Sequence, residues 1–446
     1  MHLNQKHLYK FVNLLLVFAL VITLLGFFTD IRNTLKFGGI DLRNRVVGAR
    51  LLIRGLDPYH FKWSPGNDER LLDPLDWPTI PVTRTTVNPS ILLFHSIFAN
   101  LPYFTQRIIW LVIQWFFLIA SVFILIKNNL HDLRTKSILI TILVFISGSL
   151  LWRLHIDVGQ FYIVYVFLLA LAYQCFNSEV KYRNALGGFF IGLAACFRFP
   201  IIIMVLPMII FKKVKMLTST LLSFFSCLLV SVLLTGLQVW QNYFSAMTTN
   251  GKLNTSSISI AKVDVKKIFP KIVEGMNNLQ AFNGAIPDSN SSLQFFLKEN
   301  FSLYLDTKNL IIILAGVLLL YSFVIYFCCQ TSDNESNIKI IDLIFSISTI
   351  NILIVDFFIP APRYPYNDVF FLIPLILLMK NINLFNTQML SCTILMYIGL
   401  LILNGMFAWF PNEIQVGELM ILTSMMLMSL IFIRGSIPLF PKKHNT

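Results

Sequence analysis

The chain has 446 residues, of which 56% are hydrophobic and only 13% are charged, and its mean hydropathy is +0.72. Soluble globular proteins carry about 25% charged residues, so this composition excludes an ordinary soluble domain and indicates an integral membrane protein. The formal net charge of +13 does not indicate nucleic-acid binding, because no soluble basic domain is present to carry it. Basic residues beside membrane spans instead set topology or contact anionic headgroups.

Apolar runs separated by short polar loops follow one another along most of the chain. A run of roughly 17 to 25 apolar residues is long enough to cross a bilayer as a helix. The pattern predicts an all-α polytopic bundle of about twelve transmembrane helices in a single membrane domain, residues 1–446. The predicted spans are 11–28, 104–126, 137–152, 161–176, two short helices between 183 and 212, 216–240, 309–329, 340–358, 369–380, 388–407 and 417–433.

Basic residues at the span ends predict the orientation. Lys6 and Lys10 precede the first span, and Arg434 follows the last, so both termini are predicted to be cytoplasmic in the inner cell membrane. Two long loops then lie outside, at 29–103 and 241–308. The six cysteines fall in or beside apolar segments without CxxC spacing, which favours packing over disulfides or metal binding.

The stretch Gly38–Tyr59 follows the first span directly. It predicts a helix over Leu42–Arg54 that Gly55 ends and that Asp41 caps at its N-terminus. Apolar residues on one face and arginines on another are typical of a helix lying in the plane of the membrane surface.

Two further features of the first outer loop follow. Asp57-Pro58-Tyr59 predicts a turn. The apolar piece Pro89–Leu101 is too short to cross a bilayer and predicts an interfacial or re-entrant helix.

Unusual polar residues at predicted span ends fall on the outer side. They are Asp41, His155, Asp157, Gln160, Arg198, Arg363, Tyr364 and Asp368. The predicted cytoplasmic loops are short, with no glycine-rich phosphate loop, and no D-x-D pair occurs in the chain. The pattern therefore places a site on the outer face and favours a lipid-linked substrate over a nucleotide sugar.

Several of these motifs resemble a known family. An acid soon after the first span, a helix ending in G-x-D-P-Y, the Gly159-Gln160 turn, the run at 192–200 and Asn290-Ser291-Ser292 are similar to the polyprenyl-phosphate-dependent glycosyltransferases of the GT-C class. The closest resemblance is to glycosyltransferase family 87, the DUF2029-type mannosyltransferases. The chain departs from that family's usual pattern at Val87-Asn88-Pro89, at Tyr162 and at Arg198, where the family has lysine.

The resemblance implies a GT-C-like helical arrangement with outer juxtamembrane helices, and Asp41 as the catalytic residue. The implied activity transfers a sugar, such as mannose or another hexose or a pentose, from a polyprenyl-phosphate donor to a glycan or glycolipid acceptor. Asp41 would act as general base with inversion at the anomeric carbon. The lipid bilayer is the third partner, and no cofactor or metal is expected. The candidate substrate- and phosphate-binding residues are Arg198, His155, Gln160, Arg363, Tyr364 and Asn290.

Each candidate also has a simpler interpretation. Asp41 could serve only as a helix cap, Arg198 could be a structural arginine at a span end, and His155 and Gln160 could satisfy backbone groups. Two other functions remain open: a polymerase of O-antigen type that transfers whole glycan repeats, and a flippase or transporter of lipid-linked sugar. The flippase hypothesis needs charged residues along the spans, which carry few.

Overall fold

A computed structural model describes residues 5–126, 132–255, 273–283, 290–331, 340–359, 363–382, 386–404 and 412–434. Within these ranges every regular element is helical. The α-helices are α1 (Gln5–Lys36), α2 (Ile40–Ile53), α3 (Pro89–Ser96), α4 (Tyr103–Ile126), α5 (Leu133–Ile142), α6 (Leu150–Val158), α7 (Tyr162–Phe176), α8 (Arg183–Phe197), α9 (Val205–Ile210), α10 (Val214–Thr235), α11 (Leu237–Thr255), α12 (Gln280–Asn283), α13 (Leu293–Phe301), α14 (Thr307–Thr331), α15 (Ile340–Phe358), α16 (Leu372–Met379), α17 (Thr387–Leu403) and α18 (Glu413–Arg434). The 3₁₀ segments are Glu69–Leu71, Phe199–Met204 and Pro365–Phe371, and a π segment occupies Leu143–Ser147.

Six of the described helices are long and apolar enough to cross a membrane, namely α1, α4, α10, α14, α15 and α18. A seventh span results if α5 with its π segment and α6, which are bent by 50°, are counted together. Five shorter apolar helices account for the other predicted spans. The all-helical prediction is confirmed for the described residues, whereas the count of twelve spans stays a prediction.

The helices sort into a buried centre and an apolar exterior. Nearly every side chain of α15 is buried, so this helix forms the centre of the bundle. By contrast, α1, α10 and α14 expose large apolar side chains such as Phe18 (59%), Leu233 (74%) and Leu319 (70%). Exposed apolar surface on this scale is stable against lipid rather than against water.

Glycines allow α8 and α10 to approach closely. A Cβ atom added at Gly188 would lie 2.4 Å from the Ser219 hydroxyl, and one at Gly192 would lie 2.6 Å from the Phe224 backbone nitrogen. Small residues at a helix contact are typical of membrane proteins, where close packing replaces the hydrophobic effect as a source of association.

Several helix ends meet at one end of the bundle, which we call the polar end. The C-terminal ends of α1, α6, α8 and α15 lie there, together with α2 and the beginnings of α4 and α7. Arg107 at the start of α4 illustrates the convergence, because it donates to the carbonyls of Ile156 (2.9 Å) and Asp157 (2.8 Å) at the end of α6. Three arginines of α2 also donate to distant backbone carbonyls: Arg43 to Leu72, Arg45 to Gly159 and Arg50 to Ala99.

Two local predictions for the first loop are wrong. Helix α2 begins at Ile40, so Asp41 lies in its first turn, and the N-cap position belongs to Gly39, which makes no side-chain cap bond. The helix also does not present an apolar face and an arginine face to its surroundings, because every residue from Leu42 to Leu51 is buried. Arg43 (0% exposed) and Arg50 (3%) find backbone and carboxylate partners inside the protein instead of headgroups.

Other local predictions have mixed outcomes. Arg153, His155 and Asp157 lie within α6 rather than in a polar turn, and the three residues from Gly159 to Phe161 form the connection to α7. The Asp57 turn is confirmed, since the Asp57 carboxylate accepts the Tyr59 backbone N–H at 2.8 Å. The predicted short helix is confirmed over Pro89–Ser96, and the helix break at Arg198 is confirmed as well.

Candidate active site

Two adjacent glycines let the chain turn from α1 into α2 and so place Asp41. Gly39 has a left-handed backbone (φ 62°), which an L side chain rarely adopts. A Cβ at Gly39 would lie 2.7 Å from the Arg107 guanidinium, and one at Gly38 would lie 2.3 Å from the Phe282 ring. The Asp41 carboxylate therefore begins a helix whose position is set tightly by its neighbours.

Asp41 is held by the turn between α6 and α7. The Gln160 side-chain amide donates to one oxygen of the Asp41 carboxylate. Gly159, whose φ is +73°, makes this turn possible, and its carbonyl accepts from Arg45 at 2.6 Å. The Tyr366 hydroxyl adjoins both Asp41 and Gln160. The structure thus brings together two of the predicted site residues that are 119 positions apart.

The burial of Asp41 suits its carboxylate to accept a proton. Burial raises the pKa of the carboxyl above its ordinary value of 3.8, with a smaller contribution from Asp73, while Arg45 and Arg84 act in the opposite direction. The side chain keeps part of its surface exposed. A carboxylate with a raised pKa is a stronger base near neutral pH, and partial exposure gives a substrate access to it.

Arg198 lies where α8 ends, immediately before a 3₁₀ segment. It donates to the Tyr162 hydroxyl at 3.0 Å and to the Asp356 carboxylate at 2.5 Å, and its guanidinium lies 4.7 Å from the Tyr162 ring centroid. Its side chain is 21% exposed, and its Nε makes no hydrogen bond. The Tyr162 ring is 6.0 Å from that of Tyr366, so Arg198 belongs to the same polar cluster as Asp41.

His155 lies behind this cluster rather than in it. The side chain is fully buried, and its ring stacks on Trp152 with centroids 5.2 Å apart. Gln114 contacts its Nδ1 at 3.0 Å, and the Ile163 backbone N–H donates to its Nε2 at 3.3 Å. Both ring nitrogens are engaged, so His155 supports the turn that carries Gln160.

Arg363 and Asn290 join the second long loop to the segment before α16. The Arg363 guanidinium pairs with Asp368 and, at 2.5 Å, with Glu418, and it is 3% exposed. The Asn290 side-chain oxygen accepts the backbone N–H groups of Arg363 and Ser292, both at 3.0 Å. Two carboxylates thus neutralise the Arg363 guanidinium, and backbone donors occupy the side-chain oxygen of Asn290.

Tyr364 differs from its neighbour Arg363 because it faces the cluster. Its ring centroid lies 5.4 Å from that of Tyr366, and the side chain is partly exposed. Burial raises the pKa of its hydroxyl, and the Asp41 carboxylate adds to the effect. Tyr364 is thus the only one of these three late residues that the structure places beside Asp41.

A segment of the second long loop forms ion pairs with α2. The Glu274 carboxylate receives hydrogen bonds from Arg50 at 2.5 and 3.1 Å and from Arg43 at 3.3 Å. A few residues later the Ala281 carbonyl accepts the Gly38 backbone N–H at 2.8 Å. The two long loops are therefore packed together around the beginning of α2.

Sequence reasoning missed several members of the cluster. Arg45 could have been found, because it lies four residues after Asp41 and therefore on the same helix face. Arg84, Asp356 and Tyr366 carry no local signal, since only the tertiary fold brings them to the site. Among the described residues no three His, Cys, Asp or Glu side chains are grouped so that they could hold a metal ion; the expectation that no metal is needed stays a prediction.

The fold and the site together define a polytopic helical membrane protein with a carboxylate-centred polar site at one end of its bundle. The family model for glycosyltransferase family 87 matches residues 86–336, more than half of the chain, and the protein belongs to that family. It is therefore a membrane glycosyltransferase. Gln160, Arg198 and Asn290 lie inside the matched segment, whereas Asp41 and Arg363 lie outside it. No curated protein and no solved structure matches the chain.

Proposed function

We propose that this glycosyltransferase moves one sugar, mannose or another hexose or a pentose, from a polyprenyl-phosphate donor to a hydroxyl of a glycan or glycolipid acceptor. The reaction takes place on the outer face of the inner membrane. The observation that carries the proposal is the partly exposed Asp41 carboxylate, held by Gln160 in the same polar cluster as Arg198.

Asp41 acts as the general base. A sugar hydroxyl is a poor nucleophile, and removal of its proton during attack contributes roughly 10²- to 10⁴-fold to the rate. The acceptor oxygen forms a bond to the anomeric carbon, and the bond from that carbon to the phosphate oxygen breaks. The proton goes to Asp41, and the electron pair leaves with the lipid phosphate. One displacement of this kind inverts the anomeric centre.

Arg198 stabilises the leaving phosphate. The negative charge on the phosphate grows as the glycosidic bond breaks, and a guanidinium held in advance stabilises it without reorganisation. Asp356 and Tyr162 hold Arg198 in position, while its partial exposure leaves a face for the ligand. Arg363 has a structural role instead, because two carboxylates already neutralise it in a buried position.

The other candidates divide in the same way. Gln160 and Tyr364 contact substrate beside Asp41, whereas His155 and Asn290 hold the backbone around the site. The outer-face assignment is supported by the predicted topology, in which lysine and arginine mark the short loops at the opposite end of the bundle.

The decisive experiment for this function uses the purified protein in nanodiscs. A panel of polyprenyl-phosphate sugars and matched nucleotide sugars is incubated with a membrane glycolipid extract, and released polyprenyl phosphate and the anomeric configuration of the product are measured. Transfer of single sugars from a polyprenyl phosphate with inversion is expected. Transfer only from nucleotide sugars, a ladder of whole repeats, or lipid movement without any change in the glycan would contradict the proposal.

A further inference from the structure

The segment before α16 brings a tyrosine to the carboxylate of Asp41. The Tyr366 hydroxyl is in hydrogen-bond contact with the Asp41 carboxyl and with the Gln160 side chain. Tyr366 is 7% exposed, and every residue of the 3₁₀ segment Pro365–Phe371 that carries it is buried. Tyr366 therefore touches both the proposed base and the amide that holds the base.

The chemistry of these three side chains determines the direction of each hydrogen bond between them. An ionised carboxylate only accepts, so the Tyr366 hydroxyl and the Gln160 amide both donate to Asp41. The second N–H of the amide donates to the Tyr366 oxygen, while the amide oxygen accepts the Phe161 backbone N–H at 3.3 Å. The result is a closed ring of hydrogen bonds that is complete only when Asp41 is ionised.

Ion pairs on both sides of Tyr366 fix the segment that carries it. Arg363, three residues earlier, pairs with Asp368, two residues later, and with Glu418 of α18. These three charged side chains are 4% exposed or less. The Tyr366 ring also packs beside the Tyr162 ring of α7, with centroids 6.0 Å apart. A hydroxyl held on such a rigid element can orient another group.

Two opposing influences act on the Asp41 carboxyl. Burial raises the pKa of this carboxyl, whereas the hydrogen bond from Tyr366 lowers it. The same bond restrains the terminal torsion of the aspartate, which is otherwise broad. We propose that Tyr366 is a positioning residue that keeps the Asp41 carboxylate ionised and turned toward the acceptor hydroxyl. The assignment rests on the proposed function, in which Asp41 removes the acceptor proton.

The pH profile of the reaction separates this role from simple packing. Tyr366→Phe removes the hydroxyl and keeps the ring. Because the lost bond favours the ionised carboxylate, the acid limb of kcat/KM is expected to move to higher pH by about 1 unit. Above that limb kcat is expected to fall roughly tenfold with KM for both substrates unchanged, because the base is less well oriented. An unchanged acid limb, or a limb at lower pH, would overturn the proposal.

The other groups that face Asp41 keep their charges in this variant. They come from α2, the first loop, the turn after α6 and the segment before α16, and they are Arg45, Arg84, Asp73, Gln160 and Tyr364. Their charges contribute equally to the profiles of the variant and of the wild type. The difference between the two profiles therefore reports the loss of the Tyr366 hydroxyl and its bonds.

Tyr173→Phe is the matched control. Tyr173 is also 7% exposed and donates to a carboxylate, that of Asp342, at 2.8 Å. This pair lies at the opposite end of the bundle, between the later part of α7 and the start of α15. Each variant loses one buried hydrogen bond to a carboxylate, so both are expected to have a lower Tm. Only Tyr366→Phe is expected to move the acid limb, and an equal shift in Tyr173→Phe would refute the assignment.

A measurement without turnover tests the same bond. Dicyclohexylcarbodiimide reacts with protonated carboxyl groups, so its reaction at Asp41, mapped by peptide mass spectrometry across a pH range, reports the titration of this carboxyl. Tyr366→Phe is expected to move the midpoint to higher pH. Replacement of Tyr366 by 3-fluorotyrosine makes the hydroxyl a stronger donor and should move the midpoint to lower pH. The second variant keeps the hydroxyl, so the test does not depend on the folding of Tyr366→Phe, and a midpoint that neither replacement moves would refute the proposal.

The two proposals can fail separately. If the wild-type protein transfers sugar from a polyprenyl phosphate with inversion but the replacements at Tyr366 leave the titration of Asp41 unchanged, the function stands and the positioning role falls. If the titration moves as expected but the wild-type protein consumes no polyprenyl-phosphate sugar, Tyr366 positions Asp41 and the proposed donor is wrong.

Discussion

The ion pairs of Glu274 with Arg43 and Arg50 join the two long loops and allow a quantitative test of how the site is held in place. Glu274 is the single carboxylate that the described part of the chain places between Arg43 and Arg50, which are 0% and 3% exposed, while Glu274 itself is 20% exposed. Glu274→Gln removes the negative charge but keeps a carbonyl acceptor and the side-chain length. The two buried guanidiniums then keep their backbone carbonyl partners and, in place of the carboxylate, one neutral side-chain acceptor.

The expected cost follows from the bonds that weaken. Glu274 makes three hydrogen bonds to the two guanidiniums, and bonds to charged groups contribute about 1.5–3 kcal/mol each. Gln can replace part of this, and the remaining backbone bonds keep both arginines in place. We therefore expect Glu274→Gln to lower the free energy of unfolding by about 2–3 kcal/mol. This value is below the 3–5 kcal/mol typical of breaking a fully buried ion pair.

The stabilisation of the fold by Glu274 depends on pH, and the sign of this dependence follows from its pKa. Burial alone raises the pKa of Glu274, but the hydrogen bond and charge of Arg50 and the charge of Arg43 outweigh it, so the pKa lies below 4.5. An acid with a lowered pKa stabilises the folded state above its unfolded pKa. The stabilisation is lost as the pH falls through the lowered value, and Glu274→Gln should abolish this component.

The assay is thermal unfolding in detergent, followed by tryptophan fluorescence, at pH 7 and at pH 4. Glu274→Gln is expected to lower Tm by several degrees at pH 7. Glu69→Gln is the matched control, because it removes an equally acidic side chain from an exposed position nearby. The reasoning would be refuted if the two variants showed the same Tm at pH 7.

Three further predictions concern the site and the bundle. Arg198→Gln should lower kcat/KM at least 100-fold in a polyprenyl-phosphate release assay, and Arg198→Lys should restore part of it; equal rates for Gln and the wild type would contradict a phosphate role. The acid limb of the kcat/KM profile should lie above the ordinary Asp range, because burial raises the pKa of Asp41 and protonation removes the base; a limb at pH 3.8 or lower would contradict this. Gly192→Ala should cost about 1–3 kcal/mol in thermal unfolding, since its Cβ would meet the α10 backbone, whereas Gly316→Ala, with open space around it, should not; equal Tm values would contradict the close packing.

The helices could be predicted from the sequence because their signal is local. The predicted span 104–126 and the observed helix Tyr103–Ile126 differ by one residue, since a long apolar run both forms a helix and buries its backbone groups within it. The predicted start of α2 at Leu42 lies two residues after the observed start at Ile40. A glycine with a left-handed backbone begins that helix, and Asp41 was a more conventional cap in sequence alone.

The site was predictable only in part, because its contacts join distant positions. Asp41 and Gln160 were both expected, but the hydrogen bond between them depends on how α2 packs against the turn after α6. The sequence predicts that Arg363 is available to bind phosphate. In the structure Arg363 instead pairs with Glu418, which lies 55 positions later in the chain. A pattern along the chain reveals which residues are unusual, whereas the neutralisation of a charge depends on tertiary neighbours.

The central claim is that Asp41 removes the proton from the acceptor. It is tested most directly by single-turnover sugar transfer with Asp41→Asn in nanodiscs, compared with Asp57→Asn. Asp57 is a carboxylate of the same loop whose bonds to Tyr59 and Asn242 keep it in a turn. The account predicts that Asp41→Asn lowers the rate at least 100-fold while Tm and donor binding stay unchanged, and that Asp57→Asn transfers sugar at the wild-type rate. Wild-type transfer by a folded Asp41→Asn protein would contradict it.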